Sequence, residues 1–195
     1  MVRLRRGSSS FCPTEGAVGA HEADGPVYAP RFATACEMHV EPSRSEFIEL
    51  AATYPVVPVS VEVLADRDTP VSVYETMVGD GDGFLLESVE GGERWARWSF
   101  VGWKPHFTLV AHAGLTTAVG AAPPLPEGDP LSVLAALHER YATPDAAAVR
   151  LGDPAPPLFA GAVGYLAYDA VRYVERLPNE PDDDRGLPEM VWHFF

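Results

Sequence analysis

Residues 85–102 read LLESVEGGERWARWSFVG, and they begin as a buried β-strand would before departing from that pattern. Phe84, Leu85 and Leu86 form an apolar run that ends on a carboxylate and a hydroxyl, Glu87 and Ser88. Gly91-Gly92 supplies a turn. Trp95, Trp98, Phe100 and Val101 then give a second apolar strand. The spacing predicts strands over 84–89 and 96–103. A buried Glu–Ser pair costs on the order of a few kcal/mol unless it is partnered. A carboxylate beside a hydroxyl is a good receptor for an ammonium group. Arg97, on the return strand, is able to hold a carboxylate by a two-pronged bond. Glu87, Ser88 and Arg97 together would suit a zwitterion such as a free amino acid. Periodicity alone favours the plainer reading, a strand end whose polar residues face water.

Outward from the hairpin, helices and strands mix without a steady βαβ alternation, which predicts an α+β fold with a mainly antiparallel sheet and flanking helices. Ser43-Arg44-Ser45-Glu46 fits a capping box, so a helix is expected over 44–53. Val56 to Leu64 reads as a strand, at an edge or bulged because Pro58 has no N–H for a ladder. Asp68-Thr69-Pro70 opens a second helix with proline in its first turn. Further strands are expected at 106–112 and 115–119, and a helix at 130–141 capped by Asp129. Phe159 to Tyr168 reads as a glycine-spaced strand, 169–177 as helical, and Met190 to Phe195 as an apolar strand.

The whole chain has 195 residues, of which 47% are hydrophobic, enough for one substantial core. Its formal net charge is -14. That argues against nucleic acid and anionic membrane as partners, since phosphate binding needs clustered Lys and Arg. No apolar run approaches the roughly 20 residues needed to cross a bilayer. The basic start, MVRLRR, has no apolar stretch behind it, unlike a secretory signal. Cys12 and Cys36 both precede the globular part, so no disulfide framework is expected. A cytoplasmic protein is the plain expectation. Residues 1–37 hold four of the 14 basic and four of the 28 acidic residues, which leaves 10 against 24 in 38–195. Their Gly, Ser, Ala and Pro content predicts a disordered extension before a domain over 38–195, with Met38 expected as the true start and residues 1–37 as upstream translation or a dispensable tail. The final strand ends on Phe194-Phe195 with no turn after it, as a fragment would.

Other motifs carry less. Gly79-Asp80-Gly81-Asp82-Gly83 lacks the closing Glu of a calcium loop and reads as a helix-to-strand connection. Asp182-Asp183-Asp184 could hold Mg²⁺, but such a run is usually solvated. The histidines show no ligand spacing. Gly161 and Gly164 allow close approach of a neighbour, more readily explained by packing against a second sheet than by a binding site. Arg172 and Arg176, themselves at helical spacing, lie near Asp169 and Glu175 and suit surface i,i+3 or i,i+4 ion pairs.

From about Glu41 to Phe195 the sequence resembles the N-terminal region of anthranilate synthase component I. The residues that carry the likeness are Leu85-Leu86-Glu87-Ser88, Arg97-Trp98-Ser99-Phe100-Val101-Gly102, Thr69-Pro70-Val71-Ser72-Val73-Tyr74, and Gly161 to Pro178 with its Gly-Tyr-Leu-Ala-Tyr-Asp core. The Trp-rich second motif resembles actinobacterial members. The resemblance implies the conversion of chorismate to anthranilate in tryptophan biosynthesis, with Mg²⁺ and with ammonia from a glutamine amidotransferase subunit, component II. It implies feedback inhibition by L-tryptophan, with Glu87 and Ser88 in the effector site and Arg97 as a nearby candidate. It also implies a two-domain sandwich whose C-terminal chorismate-binding domain, with the catalytic and Mg²⁺ residues, lies beyond Phe195. This chain alone is then not expected to catalyse the reaction. Two alternatives share the pattern: a fragment of aminodeoxychorismate synthase component I, of folate synthesis, and a stand-alone tryptophan-binding or docking module.

Overall fold

The computed structural model describes residues 2–5, 39–87, 98–152, 154–179 and 182–195, the first of these by backbone alone. The strands and helices run β1 (Val2–Arg5), β2 (Val40–Glu41), α1 (Arg44–Ala51), β3 (Ser60–Leu64), α2 (Pro70–Met77), β4 (Gly83–Glu87), β5 (Ser99–Trp103), β6 (Phe107–His112), β7 (Leu115–Gly120), α3 (Pro130–Arg140), β8 (Ala162–Leu166) and β9 (Met190–Phe194), with a 3₁₀ turn at Tyr168–Tyr173 between the last two. They form three sheets, ordered β1-β3-β2, β4-β5 and β7-β6-β9-β8. Every pairing among the described residues is antiparallel except β1 with β3. The α+β expectation holds.

The helix starts follow from their caps. Ser43 and Glu46 complete the capping box, with Ser43 N–H donating to Glu46 Oε2 at 2.9 Å. Thr69 and Ser72 do the same for α2, and Pro70 occupies its first turn. Asp129 accepts from the N–H groups of Leu131 and Ser132 at 3.0 and 3.1 Å. Some boundaries differ from expectation: the strand expected over 159–168 is Ala162–Leu166, and the helix expected over 169–177 is a 3₁₀ turn at Tyr168–Tyr173. The strand expected over Val56–Leu64 begins only at Ser60, beyond Pro58, and β3 lies in the middle of its sheet. Proline is excluded from the ladder by starting the strand after it rather than by placing the strand at an edge.

The core lies between the four-stranded sheet and α3. Phe107, Leu109 and Ala111 of β6 point to one face, Met190 and Phe194 of β9 to the same face, and Val133 and Leu137 of α3 close over them. Phe107 and Phe194 are direct partners in register and their rings stack at 4.4 Å, with Tyr141 tilted against both. The strand formed by the last residues is therefore neither an edge nor exposed. It is paired on both sides, by β6 and β8, and Phe194 is 5% exposed.

Gly164 belongs to the packing of this sheet. It lies opposite Trp192, and a Cβ there would come within 1.9 Å of the Val191 carbonyl oxygen and 2.8 Å of Trp192 Cα. The close neighbour is an adjacent strand of the same sheet, not a second sheet as expected. The opposite face of the sheet carries Val110, Val163, Val191, Leu115, Val119 and Tyr165, with Thr108 and His193 joined across strands at 2.8 Å. Leu115 and Val119 are 68% and 69% exposed, so no described element covers that part of the face.

Leu109 is wholly buried under α3, and deleting its branched end leaves a cavity the sheet backbone has little freedom to fill. Leu109→Ala is expected to lower the unfolding free energy by about 2–5 kcal/mol, read as a shift in the urea midpoint with an unchanged slope.

Candidate functional site

Glu87, the first of the three residues singled out from sequence, ends β4 and pairs with Ser99 of β5. Its side chain is exposed. The burial penalty anticipated for a Glu–Ser pair therefore does not arise at Glu87. Its carboxylate is exposed at the last residue of β4. Ser88 and Arg97 lie outside the described residues.

The hairpin holds Glu87 from its opposite end. The register runs from Gly83 opposite Trp103 to Glu87 opposite Ser99. Two glycines allow the tight end. A Cβ at Gly102 would meet the Phe84 ring at 2.2 Å, and one at Gly83 would meet the Gly102 carbonyl oxygen at 2.5 Å. Helix α2 packs against both strands. The Phe84 ring meets Phe195 edge-on at 5.0 Å, which ties the hairpin to the residue that follows β9. Further along, Trp98 and Phe100 stack at 6.5 Å.

A second polar cluster is assembled by the fold rather than by local sequence. The Tyr173 hydroxyl donates to the Glu189 carboxylate, which also accepts from the Gly114 N–H at 3.2 Å. Glu189 thus clasps the 3₁₀ turn and the β6–β7 turn to the start of β9. Burial, and then the bond and the charge of Glu189, push the Tyr173 phenol up to about 12. Neither residue is marked in the sequence, since 16 positions separate them and no periodicity connects them.

The remaining candidates have structural roles. Asp183 accepts from the N–H groups of Gly186 at 2.8 Å and Arg185 at 3.2 Å, which hold its carboxyl below the usual range. It lies 3.9 Å from His112, and both side chains are largely exposed, so the pair adds little. The expected surface pair is present between Arg172 and Asp169 at 3.3 Å. The Arg150 guanidinium reaches the Glu46 carboxylate, joining the loop before Leu151 to the cap of α1. Among the described residues no group of three or more His, Cys, Asp or Glu side chains is placed to hold a metal ion. No described helix is long and apolar enough to cross a membrane.

Comparison with known proteins finds relatives named anthranilate synthase component 1. Anthranilate synthase component 1 of Mycobacterium tuberculosis is 45% identical over 153 residues. The protein of the same name from Mycolicibacterium smegmatis is 43% identical over 152 residues, and that of Acetivibrio thermocellus 36% over 156. This chain is a relative of anthranilate synthase component 1. The alignments cover 76–78% of the chain but only 28–30% of each of these three relatives, so the chain spans less than a third of their length. No family model matches the chain. The likeness to anthranilate synthase component 1 inferred from the Leu-Leu-Glu-Ser and Arg-Trp-Ser-Phe-Val-Gly motifs is thereby borne out.

The clasp gives a prediction with a defined sign. The folded-state pKa of Tyr173 is raised above the unfolded value of 10.0. Its contribution is complete below pH 10 and is lost as pH rises through the folded value near 12. Tyr173→Phe should lower stability by about 1–2 kcal/mol at neutral pH. The parent should lose more stability than the variant between pH 10 and 12, as measured by urea unfolding across that range.

Proposed function

We propose that this chain is the N-terminal regulatory and structural part of an anthranilate synthase component I, the enzyme that forms anthranilate from chorismate in tryptophan biosynthesis. The observation that carries the reading is the 45% identity over 153 residues to a protein of that name. The short share of the relatives' length agrees with it. On this reading the chain is not catalytic by itself. Chorismate and Mg²⁺ are held by a further domain, and component II, the glutamine amidotransferase, supplies ammonia. The protein works in the cytoplasm. The partly uncovered apolar face of the four-stranded sheet supports a second layer packing there, because a sheet with two apolar faces buries both when it can.

The chain's own contribution is to effector control. The Glu87 carboxylate attracts the ammonium group of L-tryptophan, Ser88 adds a directional hydrogen bond to the amino acid head, and Arg97 is a candidate for its carboxylate. The exposure of Glu87 at a strand end supports this role, since an ion pair with a ligand needs a carboxylate not already committed inside the fold. Tryptophan inhibits by binding one arrangement of the two domains more tightly than the other, and the difference in affinity sets how far activity falls.

In the complete enzyme, Ser88→Ala is expected to raise the tryptophan concentration for half inhibition about tenfold. Removal of one hydrogen bond to a charged group accounts for that size. Uninhibited kcat and KM should stay at the parent values. Superimposable inhibition curves for parent and variant would remove Ser88 from the effector site. Chromatography of the product tests the reaction separately, because 4-amino-4-deoxychorismate in place of anthranilate would assign the enzyme to folate synthesis.

A further inference from the structure

Strand β3 is paired unevenly along its length. Towards β2 it has partners only for Ser60 and Val61, because β2 is two residues long. Towards β1 it is paired from Val61 to Leu64. Among the described residues β1 is therefore the only strand that pairs with Glu62, Val63 and Leu64. A strand edge with unpaired N–H and C=O groups is a template for any extended chain, so an edge of this kind has to be covered or it recruits a partner.

The sequence of β1 suits the edge on which it lies. Val2 and Leu4 stand in register opposite Val61 and Val63, which are half-buried. Arg3 and Arg5 stand opposite Glu62 and Leu64, which are exposed. Both strands thus alternate with the period of two that a sheet with one covered face requires. Charge favours the same pairing. Two of the four residues of β1 are arginines, whereas residues 38–195 hold 10 basic against 24 acidic residues. Glu62 lies within β3, and the exposed Asp66 and Asp68 follow the strand, with Arg67 between them.

We propose that the edge of β3 over residues 61–64 is a strand-acceptor site, and that its occupant is Val2–Arg5 of the same chain, an extended segment of alternating apolar and basic residues bound in parallel. Residues 2–5 act as a donor strand. They hold residues 62–64 in the sheet and keep that edge from pairing with a second copy. On this proposal the first residues belong to the fold, and a chain beginning at Met38 lacks a strand. The inference stands apart from the effector reading above, because it uses none of Glu87, Ser88 and Arg97.

The test uses NMR of the 195-residue chain, with the Leu109 amide of β6 as the reference for the main core. Backbone NOEs are expected between residues 2–5 and 61–64, and an isotope-filtered mixture of labelled and unlabelled chains should show none between molecules. Arg3→Pro/Leu4→Pro removes the N–H of whichever neighbour bonds to β3, since a parallel ladder uses alternate residues of a strand. Amide exchange over residues 62–64 should then quicken by about tenfold or more while Leu109 keeps its parental rate. Glu62→Lys should quicken it about two- to fivefold at low salt, and Arg3→Glu/Glu62→Lys should bring it back towards the parental rate. Unchanged exchange over residues 62–64 in the proline variant, with Leu109 still protected, overturns the proposal, as does the absence of the NOEs. If the proline variant loses protection at Leu109 as well, the charge pair decides: parental exchange in Glu62→Lys, or no recovery in the double reversal, overturns it. NOEs between molecules overturn the assignment of the donor strand to its own chain.

Discussion

The stacking of Phe107 on Phe194 joins positions 87 residues apart and fixes where β9 lies. Without that contact the last strand has no reason to enter between β6 and β8, because β7, β6 and the α3 region are connected locally and β8 precedes β9 by a long loop. The insertion fills the hydrogen-bonding edges of both neighbours at once, and it removes an apolar strand from solvent that would otherwise invite pairing with another chain. It also closes the core under α3, since Met190 and Phe194 provide one side of the surface on which Val133 and Leu137 rest. The fold thus depends on a contact of high sequence separation, whose loop-closure entropy must be met before any of its burial is gained.

The same strand organises the polar features. Glu189, immediately before β9, donates its N–H to the Ala111 carbonyl and accepts from Ala167 through its own, while its carboxylate takes the Tyr173 hydroxyl and the Gly114 N–H. Phe195, immediately after β9, meets Phe84 of the hairpin that carries Glu87. A shift of β9 along its neighbours would therefore be felt at both ends, at the clasp and at the hairpin. The hairpin has little slack to absorb such a shift at its tight end, where Gly83 and Gly102 already let the backbone and the Phe84 ring approach to distances that leave no room for a Cβ.

Local chemistry made much of this legible in the sequence. Ser43-Glu46, Thr69-Pro70 and Asp129-Pro130 act on N–H groups only a few residues away, so their helices are found near the expected positions. The strand expected over 106–112 is likewise local and is found at Phe107–His112. Strand order is not local. Nothing in Met190–Phe194 says that it lies inside a sheet. The space at Gly164 was legible as a close approach, but the identity of the neighbour required the register with Trp192. The clasp between Tyr173 and Glu189 was invisible for the same reason. At the candidate effector site the sequence marked Glu87 by a break in the apolar pattern, and the break proves to be a strand end in water.

Exposure at Glu87 bears on how such a site could control a larger enzyme. A carboxylate buried and paired within the hairpin would hold its partner in every state of the protein, and a ligand competing for it could not distinguish one state from another. A carboxylate in solvent at the end of a braced hairpin is different. The hairpin fixes its position relative to β9, through Phe84 and Phe195, while its ligand partners on any second domain depend on how that domain sits. Only a ligand bridging the two would then have unequal affinity for their arrangements, and unequal affinity is the sole means by which binding shifts a conformational equilibrium. On the proposal that Glu87 takes part in binding an effector, the tight end of the hairpin would fix the reference point and the exposed carboxylate would serve the bridge.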